Sequence, residues 1–149
     1  MTDEYEDNDP EYDIDFRENP EQYEIGRGEE GVFKVQPYKD ELLALWTFKT
    51  PDEAEESAKT IYEQYEEYRE NDDFPGMDMA RKYLQMGYTR AMRYAKYPGG
   101  QKYLDGEERE PEEWADPEKR EAALIFEERL ERVREDADYH EAKETHRER

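Results

Sequence analysis

Between Met77 and Leu104 the chain reverses its charge. Six bases stand there, Arg81, Lys82, Arg90, Arg93, Lys96 and Lys102, against the single acid Asp78. The window is +5 in a chain whose formal net charge is −22. Tyr83, Tyr88, Tyr94, Tyr97 and Tyr103 interleave with the bases. Cations beside rings suit phosphate-and-base recognition: charge holds the backbone and rings stack on bases. The turn Pro98-Gly99-Gly100 would let backbone N–H groups approach an anion. Arg81, Lys82, Arg90, Arg93, Lys96, Tyr97, Lys102 and Tyr103 are therefore candidate ligands for a nucleic acid or another polyanion. An alternative uses the same residues: the basic helix face pairs with carboxylates, its own or those of an acidic protein partner. Salt weighs on the choice, because neutralising about five phosphates gives a log–log salt slope of about −4.5. In molar salt, stacking and bidentate arginine bonds would have to contribute.

A second motif is the stretch IGRGEEGVFKV. Gly26, Gly28 and Gly31 fit the nucleotide-loop pattern G-x-G-x-x-G. A dinucleotide-binding loop must open a helix, whereas Val32 to Val35 read as a strand. A kinase loop places valine two residues after its last glycine, where this chain has Phe33, and neither HRD nor DFG occurs. Glu29 and Glu30 would also set negative charge beside a phosphate. The glycines read better as turn geometry leading into a strand. Arg27 remains a candidate neighbour of the basic face.

Other chemistry finds little support. There is no cysteine, which excludes disulfides, thiolate metal sites and thiol catalysis. The one serine, Ser57, falls mid-helix with no histidine near it in sequence. His140 and His146 read as solvated, and a six-residue spacing does not put them on one helix face. Pro51-Asp52 lacks the acid and lysine two residues apart that a nuclease signature needs. Asp72, Asp73 and Asp78 form no convincing ligand series for magnesium. No catalytic, metal or cofactor residue is assigned. An enzyme acting on a phosphorylated small molecule is the third reading, behind a noncatalytic binding module and a protein-interaction module.

The elements that must position these groups follow from periodicity. A strand is expected at Tyr12, Ile14 and Phe16, and a one-turn helix after Asn19, Pro at its first position. GVFKVQ (31–36) and LWTFK (45–49) read as paired strands, with a helical turn over 40–45 between them. Thr50-Pro51-Asp52-Glu53 is a capping box opening a helix over 51–70, with Ala54, Ala58, Ile61, Tyr65 and Tyr68 as its stripe. Asn71 to Gly76 stops it. A second helix, 77–96, carries small residues on one face, among them Ala80, Gly87 and Ala91. A third begins at Asp116-Pro117, runs to about 137 with Ala123, Phe126, Leu130 and Val133 inward, and lies outside the core or extends away. The predicted fold class is α+β: a small antiparallel β unit packed on two or three helices, helix-dominated. The expected organisation is an acidic tail over 1–11, a core over 12–104, an acidic linker over 105–116, a C-terminal helix over 117–138 and a frayed tail over 139–149.

Composition sets the environment. Asp and Glu number 44 against 22 Lys and Arg. Leu, Ile, Val and Phe together are few enough to raise a disorder flag, yet 13 Tyr and 2 Trp argue for a folded, aromatic-rich middle. Acids spread along most of the chain are similar to those of salt-in haloarchaeal proteins, where dense carboxylates keep a protein soluble. An acidic interaction protein, even a DNA mimic, is the alternative. The start lacks a basic region followed by an apolar one, and no long apolar run occurs, so a soluble, cytoplasmic protein without membrane contact is expected.

The residues GRGEEGV, WTFKTPDEA and above all DDFPGMDMARKYLQMGYTRAMRYAKYPGGQKY resemble an uncharacterised domain-of-unknown-function family, the one numbered 4385. It occurs in archaea, bacteria and tailed phages. The resemblance covers about Tyr12 to Tyr103, leaving the acidic tails and the last helix outside. It implies no activity, and its phage members imply a nucleic-acid role by association alone.

Overall fold

The computed structural model describes residues 14–26, 29, 31–111 and 115–148. The acidic tail over 1–11, Tyr12 of the expected first strand, and Arg27 and Gly28 of the glycine loop lie outside the described residues.

Among the described residues five α-helices and one hairpin make the fold: α1 (Tyr38–Leu43), α2 (Pro51–Glu70), α3 (Phe74–Lys96), β1 (Tyr103–Leu104), β2 (Glu107–Glu108), α4 (Pro117–Arg134) and α5 (Ala137–Arg147). The expected helix-dominated α+β class stands, and its antiparallel unit is this two-stranded sheet. Among the described residues no helix is long and apolar enough to cross a membrane.

The core is a three-helix arrangement in which α3 lies against both α2 and α4, and α2 against α4. The predicted stripes are its substance. Ala54, Ala58, Ile61 and Tyr65 are fully buried from α2, and Ala123, Phe126 and Val133 from α4. Gly87 shows why α3 needs small residues. A Cβ there would stand 2.5 Å from the Phe126 ring, so only hydrogen lets α4 approach so closely. Burying a ring or branched chain of this kind contributes about 1.5–3 kcal/mol. The helix expected to extend away is thus the partner that closes the core.

Capping fixes the helix starts. Thr50 Oγ1 accepts from Glu53 N at 3.1 Å. The Glu53 carboxylate does not return to the cap; it accepts from Thr47 Oγ1 at 3.1 Å. The break after α2 is shorter than expected. Asp73 caps Gly76 N at 3.2 Å, and α3 begins at Phe74. Asp136 likewise caps α5, accepting from Asp138 N at 2.9 Å. The tail expected to fray from about Asp138 is instead helical, with Tyr139 buried.

The β unit sits elsewhere than 31–49. Over 31–36 the amides bond locally, Lys34 N to Gly31 O at 3.2 Å, and the only ladder contact described is a parallel bridge from Asp15 to Gln36. Val32 and Val35 are buried as a turn, tied to α3 by the Tyr83 hydroxyl, which donates to Val32 O at 2.7 Å. Residues 45–49 form no strand. The hairpin pairs Tyr103 with Glu108 and Leu104 with Glu107, inside what was read as core end and acidic linker. Asp105 and Gly106 both take positive φ, 54° and 84°, as a tight primed hairpin turn requires. That Asp-Gly pair was the missed signal.

Candidate functional site

The basic window divides along α3. At its N-terminal end Asp78 is fully buried and accepts three bonds: from the Tyr23 hydroxyl at 2.5 Å, the Tyr139 hydroxyl at 2.7 Å and Arg81 Nε at 3.0 Å. Arg81 also reaches Gln85 Oε1 at 2.8 Å. Lys82 is 1 % exposed. Arg81 and Lys82, both expected to meet a polyanion, therefore serve the interior. A helix face that looks basic in sequence is covered when other elements cross it.

Burial would raise the pKa of Asp78, but the Arg81 charge and the two tyrosine hydroxyls outweigh it and hold the carboxyl below its ordinary value. The Tyr23 and Tyr139 hydroxyls are pushed up, by burial first and then by Asp78. Two similar clusters lie nearby. Arg17 grips Glu41 with two bonds of 2.9 and 2.7 Å and touches Asp73 at 3.2 Å. Tyr68 donates to Glu41 and Tyr38 to Asp73, each at 2.6 Å. Tyr65 and Arg69 both bond Asp136 at 2.6 Å. Thus each of the caps Asp73 and Asp136 is also held by a tyrosine and an arginine. Two clefts of about 460 and 470 Å³ open beside these clusters, away from Arg93 and Lys96. Among the described residues no three acids or histidines converge as a metal site.

The histidines and the serine each bond a backbone group. His146, expected to be solvated, is half-buried; its Nε2 bonds Tyr23 O at 2.6 Å and its ring packs 5.0 Å from that of Phe74. His140 is exposed and bonds Arg134 O. Ser57 Oγ accepts from Thr47 N at 3.1 Å.

The C-terminal end of α3 is different. Arg90 lies over the Phe33 and Trp46 rings, 5.9 and 5.7 Å from their centroids. Trp46 packs on Phe48 and Phe48 on Tyr94, at 5.2 and 6.0 Å. Lys119, from the first turn of α4, stands over Phe48 and Tyr94. Arg93 Nε donates to Gly100 O at 2.9 Å, fixing the turn that leads to the hairpin, and Tyr94 fills the space beside Gly100. Lys102 stands over Tyr103, whose ring is 54 % exposed. Lys96 is exposed, whereas Tyr97 is buried and is removed from the candidate ligands. Phe33, Trp46, Phe48 and Lys119 join the face without being expected there; the signal for the three rings is their place in the aromatic stretches 31–36 and 45–49, and nothing local marks Lys119. The Trp46 Nε1 donor is buried without an acceptor among the described residues.

One contrast stands out in so acidic a chain. Arg17, Arg69, Arg81 and Arg129 each meet a carboxylate at 3.2 Å or less. Among the described residues no carboxylate reaches ion-pair distance of Arg90, Arg93, Lys96, Lys102 or Lys119; rings and backbone carbonyls engage all of these but Lys96.

A family model described as Domain of unknown function (DUF4385) matches residues 5–149. The chain belongs to that family. No curated protein and no solved structure matches it. The DUF4385 match runs well past Tyr103, so α4 and α5 are part of the family domain. The packing gives the reason: Phe126 covers Gly87 and Tyr139 closes over Asp78, so neither the middle nor the N-terminal end of α3 is complete without them.

Proposed function

We propose that this DUF4385 domain is a noncatalytic binding module whose basic-aromatic face, around Arg90, Arg93, Lys96, Lys102 and Tyr103, takes a polyanion. The observation that carries the reading is the lack of any carboxylate within ion-pair reach of these cations, among the described residues of a chain at −22. Cations left beside rings retain their field toward solvent, so such a face attracts an anionic chain despite the surrounding negative charge. Dense acids spread along the sequence further suit a protein working in molar salt, where exposed charge pairs are screened. Ring contacts lose less to screening than charge does.

Calorimetric titration of the full chain with heparin, across KCl concentrations, tests this. Binding should weaken about tenfold or more in Arg90→Ala/Arg93→Ala, with an unchanged circular dichroism spectrum. No binding of heparin by the wild type at the lowest salt that keeps the fold would end the proposal.

A further inference from the structure

We infer that the polyanion this face selects is single-stranded nucleic acid, with bases laid on its rings; the inference rests on the proposed function. The face is a connected alternation of rings and cations. Arg90 bridges Phe33 and Trp46, Phe48 links Trp46 to Tyr94, and the Tyr94 ring abuts Gly100, three residues before Tyr103. At its two ends the rings are open: Phe33 is 40 % and Tyr103 54 % exposed. An exposed ring beside a cation offers an unpaired base a stacking surface and its phosphate a charge. A duplex cannot use the first, since its bases are already stacked.

The arginines point the same way. Reading a duplex groove needs guanidinium groups free to form paired bonds with base edges. Here Arg90 lies against two rings and Arg93 donates to Gly100 O. The hairpin adds a barrier. Asp105, Glu107 and Glu108 are exposed next to Tyr103 and Leu104. A stiff duplex, with roughly one charge per 1.7 Å of axis, meets that repulsion over its whole contact, whereas a flexible strand bends around it.

Trp46 supplies the readout. In the full-length Trp114→Phe variant it is the one remaining tryptophan. Its fluorescence is titrated with a short mixed-sequence single strand, with the duplex of that sequence and with heparin. The expected result is quenching by the single strand and an affinity about tenfold above the duplex at equal salt. Phe33→Ala and Tyr103→Ala should each weaken the strand about tenfold and leave heparin unchanged. Equal or tighter binding of the duplex overturns the inference, as does unchanged single-strand affinity in both ring variants, while heparin binding leaves the underlying reading standing. If heparin also fails to bind, the reading and the inference fall together.

Discussion

The two ends of α3 carry the same residue types with opposite fates. Near its start, Arg81 and Lys82 are drawn inside and Arg81 is neutralised by Asp78. Near its end, Arg90, Arg93 and Lys96 stay outside, beside rings, carbonyls and solvent. The difference lies in what crosses the helix. The N-terminal segment, α1, α2 and α5 converge on the first end, bringing Tyr23, Tyr38, Tyr68 and Tyr139 as donors to carboxylates. The 31–48 segment and the hairpin flank the second, bringing ring faces and backbone oxygens. A basic residue becomes a structural anchor where hydroxyls and acids surround it, and a candidate ligand where only rings do.

Breaking the interior end should have the largest effect. Asp78→Ala leaves the partly buried Arg81 without its carboxylate, beside two orphaned hydroxyls, and should cost about 3–5 kcal/mol in chemical denaturation. Tyr139→Phe removes one donor and should cost about 1–2 kcal/mol by the same measurement.

Next comes the helix contact between the two ends. Gly87→Ala forces a Cβ into the Phe126 ring. Overpacking of this kind costs about 1–3 kcal/mol, and should exceed the gain in helix propensity of about 1 kcal/mol. Gly87→Ala/Phe126→Leu should recover part of the loss if the clash is the cause. A melting temperature unchanged in Gly87→Ala would show that α4 sits further away.

The interior end also sets the pH limits of the fold. Asp78, Glu41 and Asp136 have pKa values lowered on folding, Glu41 chiefly by its bonds from Arg17, and all three against a burial effect that opposes this. Their contribution is present above the ordinary carboxylate range and lost as pH falls through the depressed folded values. Tyr23, Tyr38, Tyr65, Tyr68 and Tyr139 are raised above 10, by burial first, so their contribution is full below that value and declines as pH rises past it. Denaturation midpoints against pH should therefore form a plateau between about pH 5 and 9, with an alkaline fall that Tyr139→Phe makes shallower. The Arg93→Ala/Lys96→Ala variant should keep the wild-type profile.

The helices were legible because their signals are local. The stripe Ala54, Ala58, Ile61, Tyr65 and the N-caps Thr50 and Asp116 each lie within a few turns of the helix they specify. The exposure of Arg90 and Arg93 follows the same local periodicity of α3. The fate of Arg81 and Lys82 was not, since the partners that draw the first end inward, Tyr23 and Tyr139, lie 55 and 61 residues from Asp78. Tyrosine misled equally: Tyr97 reads as a stacking ring, yet it is buried, and Tyr83 spends its hydroxyl on Val32 O. GVFKVQ misled because alternation specifies a strand only when a partner edge is present, and here the chain turns upon itself.

Substitution at the solvent end should change stability least, by under about 1 kcal/mol, and binding most. The most direct measurement compares Arg93→Ala/Lys96→Ala with Lys59→Ala/Arg134→Ala, equal in charge change but outside the ring face and paired within their own helices, in titrations with a single-stranded oligonucleotide. Binding weakened about tenfold or more in the first pair and unchanged in the second, with matching melting temperatures, is the predicted result. Equal weakening in both pairs would mean that net charge alone governs association, and that the end of α3 is no binding face.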